Sequence, residues 1–95
     1  MRVRCRGYLT FRDLIGEQEL ELEDDGATLA DLLEELCETG GGELRVALFD
    51  PRSGLLNEHI AVLLNGRHYT HLPARLETPL KDGDEVAFFP PIAGG

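Results

Sequence analysis

Two stretches near the start of the chain alternate between apolar and polar side chains, as a half-buried strand does. In residues 2–9, RVRCRGYL, one face carries Val3, Cys5, Gly7 and Leu9, and the other carries Arg2, Arg4, Arg6 and Tyr8. In residues 17–23, EQELELE, Leu20 and Leu22 alternate with glutamates. These two neighbours are predicted to pair as a hairpin, which would set the arginine row beside the glutamate row.

A helical pattern follows a turn signal at residues 24–26. Thr28 is a good N-cap residue, and Asp31, three positions later, completes a start that resembles a capping box. Five apolar residues then recur at helical spacing and form one stripe: Leu29, Leu32, Leu33, Leu36 and Cys37. Because the glycines at 40–42 should stop it, we expect one amphipathic helix that needs an apolar surface to cover.

The second half of the chain predicts further strands. In residues 43–58 the pattern is less regular, but Leu44, Val46 and Leu48 alternate before the turn signal DPRSG. Residues 60–66, IAVLLNG, are the most strand-like stretch and apolar enough for a central strand. A short strand and a loop, HYTHLPARLE, follow at residues 68–77.

The last predicted strand runs from Glu85 to Phe89 and ends at two prolines, which cannot donate to a sheet ladder. Alternation places Phe88 and Phe89 on opposite faces, one in the core and one exposed. The order strand, strand, helix, then strands predicts an α+β roll of the β-grasp, or ubiquitin-like, type. Residues 1–89 would form this domain and residues 90–95 an extended tail.

Charge and composition restrict the partners. The chain has 95 residues and a formal net charge of -9, which argues against nucleic acid and anionic membranes and favours a partner with a basic groove. No apolar run approaches membrane-spanning length, and the start lacks the apolar stretch of a signal peptide. Cys5 and Cys37 lie on predicted buried faces, so we expect a cytoplasmic protein with reduced, unreactive thiols.

The internal side chains offer little chemistry. His59, His68 and His71 are the only histidines, and two imidazoles without a third committed ligand do not indicate a metal site. A Cys–His catalytic pair needs a partly exposed thiolate, which the two predicted core cysteines do not supply. The sequence therefore predicts that this protein is not an enzyme and has no bound metal or cofactor.

The C-terminus, FFPPIAGG, is unusual. Pro90 and Pro91 stiffen the exit from the sheet, and Ile92 and Ala93 lead to the terminal pair Gly94 and Gly95. Such a tail is expected to be a thin, flexible arm that ends in a carboxylate and fits a channel too narrow for a Cβ atom. Adenylation would turn that carboxylate into an electrophile, so the chemistry would occur at Gly95 within another protein.

The residues 76–95, LETPLKDGDEVAFFPPIAGG, resemble the C-terminal signature of the ThiS/MoaD family of sulfur carrier proteins, and most closely the molybdopterin synthase small subunit. IAVLLNGR and TLADLLEEL also stand where that family has its central strand and helix. The resemblance implies a β-grasp fold and a cycle of sulfur transfer. A ubiquitin-activating-type (MoeB/ThiF-like) enzyme would use ATP to adenylate Gly95, a persulfide sulfur would replace AMP, and the thiocarboxylate would serve the molybdopterin synthase large subunit.

The resemblance also implies a partner-binding surface. Phe89 matches an aromatic residue of that surface, Tyr8 falls where strand one contributes an apolar residue, and residues 90–93 lead to the functional glycines. Plain sheet packing is the alternative explanation for Tyr8 and Phe89. His68 stands where some relatives have an apolar residue, so its membership of the surface stays open.

Three alternatives to molybdopterin synthesis stay open. The carrier could deliver sulfur to thiamine, cysteine or tRNA. The longer segments at 40–58 and 68–77 resemble those of archaeal modifiers and of carriers that serve cysteine synthesis or tRNA thiolation. It could be a protein-modifying tag that forms an isopeptide bond through Gly95. It could also be a β-grasp binding module whose diglycine end is incidental.

Overall fold

Five strands form one mixed sheet in the order β2-β1-β5-β3-β4. The structure, a computed structural model, describes residues 1–91. The strands are β1 (Arg2–Gly7), β2 (Glu17–Glu21), β3 (Ala61–Leu64), β4 (Arg67–His68) and β5 (Glu85–Phe89). The α-helices are α1 (Phe11–Leu14), α2 (Leu29–Gly40) and α3 (Gly42–Leu48), and 3-10 turns span Tyr69–His71 and Arg75–Glu77. A mixed sheet with a long helix packed on it is the predicted β-grasp arrangement.

The predicted hairpin of β1 and β2 is confirmed. The antiparallel register sets Arg2 opposite Glu21, Arg4 opposite Glu19 and Arg6 opposite Glu17. The shortest ion pair of this row joins Arg6 Nη2 and Glu17 Oε1 at 2.8 Å. The pairing of opposite charges favours this register of the two strands. Because the side chains are largely exposed, the ion pairs add little to the stability of the fold.

The last strand, β5, is the middle of the sheet. It runs parallel to β1 and antiparallel to β3. Its observed bounds, Glu85–Phe89, are the predicted ones. The stretch at 60–66 does form an interior strand, β3, which lies between β5 and β4. The end of β5 therefore lies between two neighbouring strands, with β1 on one side and β3 on the other.

Helix α2 begins as the sequence predicts. Thr28 Oγ1 accepts a hydrogen bond from the Asp31 backbone N–H at 3.3 Å, and Asp31 Oδ2 accepts one from the Thr28 backbone N–H at 2.9 Å. This capping box satisfies two donors that the helix leaves free. All five residues of the predicted stripe are buried. They pack with the inward residues of the sheet, among them Val3, Val62 and Phe88.

The alternation of Leu44, Val46 and Leu48 was wrongly interpreted as a strand. These residues lie in helix α3, where Leu44 and Leu48 are buried and Val46 is exposed. Residues at i and i+4 share one helical face, and three apolar residues at i, i+2 and i+4 fit both periods. Gly41, with a φ of +85°, turns the chain between α2 and α3.

The inward position predicted for Leu9 is also wrong. Strand β1 ends at Gly7, and Leu9 is exposed. A Cβ at Gly7 would lie 2.2 Å from the carbonyl oxygen of Phe11, so the chain can fold back tightly at this point because residue 7 is glycine. The unpredicted helix α1 buries Phe11 instead. Within residues 1–91, no helix is long and apolar enough to cross a membrane.

Candidate functional site

An apolar patch lies on the sheet face opposite the core. In β5 and β3, Val86, Phe88 and Val62 are buried, and the alternate residues point the other way and are only half-buried. The register aligns Ala61 with Phe89 and Leu63 with Ala87. We refer to five residues together as the outer-face patch: Tyr8, Ala61, Leu63, Ala87 and Phe89.

Tyr8 and Phe89 form the aromatic end of the outer-face patch. Their ring centroids are 4.5 Å apart, with planes tilted by 34°. The Tyr8 backbone N–H donates to the Phe88 carbonyl at 2.9 Å, which extends the pairing of β1 and β5 by one residue. The two site residues that the resemblance indicated are therefore in contact. Phe88 is fully buried, so the predicted opposite orientation of the pair is confirmed, but Phe89 is half-buried rather than exposed because its ring packs against Tyr8.

Charged groups hold Tyr8 from the other side. Arg6 Nη1 lies 3.4 Å from the Tyr8 hydroxyl oxygen, and Arg6 Nη2 donates to Glu17 at 2.8 Å. The hydrogen bonds to Tyr8 and to Glu17 raise the pKa of Arg6 above its ordinary value. The same guanidinium, through its hydrogen bond and its charge, lowers the pKa of Glu17. Both groups are therefore charged at neutral pH, and Arg6 links Glu17 to the hydroxyl end of Tyr8.

The chain leaves the sheet directly beyond the aromatic pair. Strand β5 ends at Phe89, Pro90 is half-buried and Pro91 is exposed. The predicted tail residues Ile92, Ala93, Gly94 and Gly95 lie outside the described residues. The described part of the chain thus places the start of the tail beside Tyr8 and Phe89.

His68 extends the outer-face patch on its far side. It pairs with Leu63 in the antiparallel register and so shares that face of the sheet. Its Nδ1 accepts a hydrogen bond from the Thr70 backbone N–H at 3.2 Å, and its ring stacks on Tyr69. Within residues 1–91, no three His, Cys, Asp or Glu residues are grouped so that they could hold a metal ion.

Sequence reasoning missed three members of the patch: Ala61, Leu63 and Ala87. A signal was present, because β3 and β5 carry apolar residues at both alternating positions. An interior strand with apolar residues on both faces indicates either burial on both sides or an exposed docking face. Only the register shows that these residues adjoin Phe89.

The two cysteines do not contribute to this surface. Both are buried as predicted. Burial raises the pKa of Cys5 to about 12 and also raises the pKa of Cys37. Because the thiolate is the reactive form, neither side chain is a nucleophile at neutral pH.

Comparisons with known proteins found matches to both the sequence and the fold. A model of the ThiS family matches residues 9–95. The small archaeal modifier protein 3 of Haloferax volcanii is 38% identical over 96 residues, which cover all of both chains. The molybdopterin synthase sulfur carrier subunit of Haemophilus influenzae is 40% identical over 84 residues, 88% of each chain. The crystal structure of SAMP1 from Haloferax volcanii superimposes with a TM-score of 0.80 at 28% identity and covers all of both chains.

Proposed function

Because the chain belongs to the ThiS family, we propose that it carries sulfur as a thiocarboxylate on its C-terminal residue, Gly95. Proteins of this family are small sulfur carriers or ubiquitin-like modifiers rather than enzymes, and this chain is one of them.

The position of the aromatic pair is the observation that carries the proposal. Tyr8 and Phe89 lie at the end of β5, where the chain leaves the sheet. A protein that bound the outer-face patch would therefore also meet the start of the tail. Half-buried aromatic residues in an apolar surface patch are typical of protein contacts. The sequence ends in Gly94 and Gly95, and two residues without a Cβ suit a narrow channel in such a partner.

The proposed chemistry takes place on the terminal carboxylate. One carboxylate oxygen of Gly95 attacks the α-phosphorus of ATP in the adenylating enzyme, and pyrophosphate leaves. A persulfide sulfur then attacks the acyl carbon, and AMP leaves with the oxygen. A thiol then attacks the donor's sulfur in the resulting acyl disulfide and forms a new disulfide with it, and the S–S bond to the acyl group breaks so that the thiocarboxylate remains on Gly95. In this scheme the carrier's own residues bind the partner enzyme and orient the tail. No described side chain transfers a proton.

The first acceptor that we propose is the large subunit of molybdopterin synthase. It is supported by the identity to a molybdopterin synthase sulfur carrier subunit over most of the chain. The segment EVAFFPP, on which the resemblance to that branch depends, forms strand β5 and its proline exit. The thiocarboxylate would supply the dithiolene sulfur of the cofactor.

Protein modification is the second candidate function. The match to small archaeal modifier protein 3 spans the whole of both chains. Helix α3 and the segment after it, where the sequence departs from compact bacterial carriers, lie within that alignment. In this role an activated Gly95 would form an isopeptide bond with a lysine of a target protein.

Intact mass spectrometry of the protein isolated from its own cells tests the carrier role. We expect a species in which one oxygen is replaced by sulfur, and its disappearance when Gly95 is deleted. Gly42→Ala is the matched control, since it also removes a glycine but has no atom within 4 Å of the added Cβ. A single unmodified mass, with adenylating enzyme, ATP and a persulfide donor supplied, would contradict the proposal.

The same sample distinguishes the two acceptors. Incubation of the sulfur-loaded protein with a molybdopterin synthase large subunit and the pterin precursor that accepts the sulfur should consume the thiocarboxylate and release the unmodified mass. Gly95-dependent species of higher mass would instead favour modification, and after digestion with trypsin the peptide 82–95 should be found attached to lysines of other proteins, because Lys81 is the last basic residue of the chain.

A further inference from the structure

Leu9 presents a large apolar side chain to solvent next to the aromatic pair. Its side chain is 60% exposed, and it directly follows Tyr8, whose ring contacts Phe89. Single exposed leucines are common on protein surfaces. Exposure alone therefore assigns no role to this residue.

The backbone of Leu9 supplies an independent observation. Its φ is +56°, in the left-handed region that side chains other than those of Gly, Asn and Asp rarely adopt. Asparagine would suit this backbone better and would also suit the solvent. Leu9 is therefore unfavourable both for its left-handed backbone and for its exposed position. Such conflicts are concentrated at functional sites.

Hydrogen bonds fix Leu9 relative to the end of β5. The Tyr8 carbonyl accepts from the Phe11 N–H, and the Leu9 carbonyl accepts from the Arg12 N–H, each at 3.0 Å. On the other side, the Tyr8 N–H donates to Phe88. The side chain of Leu9 is therefore held out from a rigid turn, and a preorganised contact loses little entropy on binding.

We propose that Leu9 is a docking residue that enters an apolar pocket of the adenylating enzyme that receives the C-terminal tail. This inference rests on the proposed function. The six residues 90–95 reach at most about 20 Å beyond Phe89, even when fully extended. An enzyme that acts on Gly95 must therefore approach the end of β5, where Tyr8 and Leu9 lie. Since Leu9 directly follows Tyr8 in the sequence, a partner that contacts Tyr8 also comes close to Leu9.

The variant Leu9→Asn separates docking from folding. In ATP–pyrophosphate exchange with the adenylating enzyme encoded in the same genome, we expect KM for the carrier to rise about tenfold with little change in kcat, as for loss of one buried interface anchor. The Tm of the variant should not fall, because asparagine relieves the left-handed backbone. Leu9→Met, which keeps apolar volume, should retain a KM near that of the wild type.

Two matched variants control for surface and backbone. Leu55→Asn removes a leucine that is 70% exposed elsewhere, and Arg75→Asn relieves another left-handed residue, with a φ of +49°. Both should leave KM unchanged. If Leu9→Asn did not fold, Leu9→Gly would replace it, because glycine suits this backbone best.

The outcomes distinguish this inference from the proposed function. An unchanged KM for Leu9→Asn, with normal exchange by the wild type, would overturn the docking role and leave the carrier role intact. An equal rise in KM for Leu55→Asn would overturn it as well, since the effect would then not be specific to this site. Absence of exchange with the wild type would remove the proposed function, and the role of Leu9 with it.

Discussion

The rings of Tyr8 and Phe89 lie 4.5 Å apart although the two residues stand near opposite ends of the sequence. The parallel pairing of β1 with β5 brings them together, because it aligns Gly7 with Phe88 and continues through the hydrogen bond from Tyr8 to Phe88. The first and last strands thus build one surface at the point where the tail begins. Phe89 and Tyr8 lie on the outer face of the sheet, where a partner can bind, whereas Phe88 points into the core and stabilises the fold.

Phe88 and Phe89 should therefore respond differently to truncation. Phe88 is fully buried, so Phe88→Ala should lower the free energy of unfolding by about 3–5 kcal/mol. Phe89→Ala removes a half-buried ring and should cost far less stability while it slows sulfur loading. Urea unfolding and the mass-spectrometric loading assay measure the two effects. Equal losses of stability in both variants would contradict the assignment of Phe89 to the outer-face patch.

Gly7 should tolerate no side chain. The Cβ of Gly7→Ala would lie 2.2 Å from the Phe11 carbonyl oxygen, so either β1 or α1 must shift, and we expect a loss of about 2 kcal/mol or more. Gly42→Ala meets no atom within 4 Å and should be neutral or stabilising by up to about 1 kcal/mol, because alanine favours a helix. Thermal unfolding of both variants checks this contrast. A Gly7→Ala protein as stable as the wild type would show that the turn is looser than the structure indicates.

The thiol of Cys5 should make stability depend on pH in the alkaline range. Its folded pKa is raised to about 12 by burial, so the folded protein holds this proton while the unfolded chain releases it. From about pH 9 upward the unfolded state binds fewer protons, and the free energy of unfolding should fall by about 1.4 kcal/mol per pH unit from this group. Below that pH the contribution is constant.

The comparison of wild type with Cys5→Ala isolates this effect, since the other titrating groups are common to both. We expect the stability difference between them to shrink from pH 8 to pH 10.5, as measured by urea unfolding. Iodoacetamide should also label neither cysteine of the folded protein at pH 8 and both in urea. A parallel pH dependence of the two proteins would contradict the high pKa.

Association with the adenylating enzyme should slow as salt is added. The net charge is -9, and every charged residue from Asp13 to Leu44 is an Asp or Glu, so a basic surface on the partner would steer the encounter. Salt screens such steering because the Debye length falls to about 8 Å at physiological ionic strength. Stopped-flow on-rates from low to high salt measure the effect. An on-rate that does not change with salt would contradict electrostatic steering.

The sequence predicted the elements whose signals are local. The Thr28–Asp31 capping box, the leucine stripe of α2, the β1–β2 hairpin and the bounds of β5 follow from spacing within a few residues. Short segments with ambiguous periods were predicted less well. Residues 44–48 fit a strand and a helix equally, and burial of Leu44 and Leu48 together decided for the helix.

The sequence by itself determined the fold class, the buried stripe of helix α2 and the placement of Phe88 and Phe89 on opposite faces of the sheet. Only the tertiary structure decided which distant residues meet. The parallel pairing of β1 and β5 placed Tyr8 on Phe89, the β3 register added Ala61 and Leu63 to the outer-face patch, and the tight turn at Gly7 exposed Leu9. Local spacing encodes the period of an element, but strand neighbours and chain reversals depend on contacts between residues far apart in sequence.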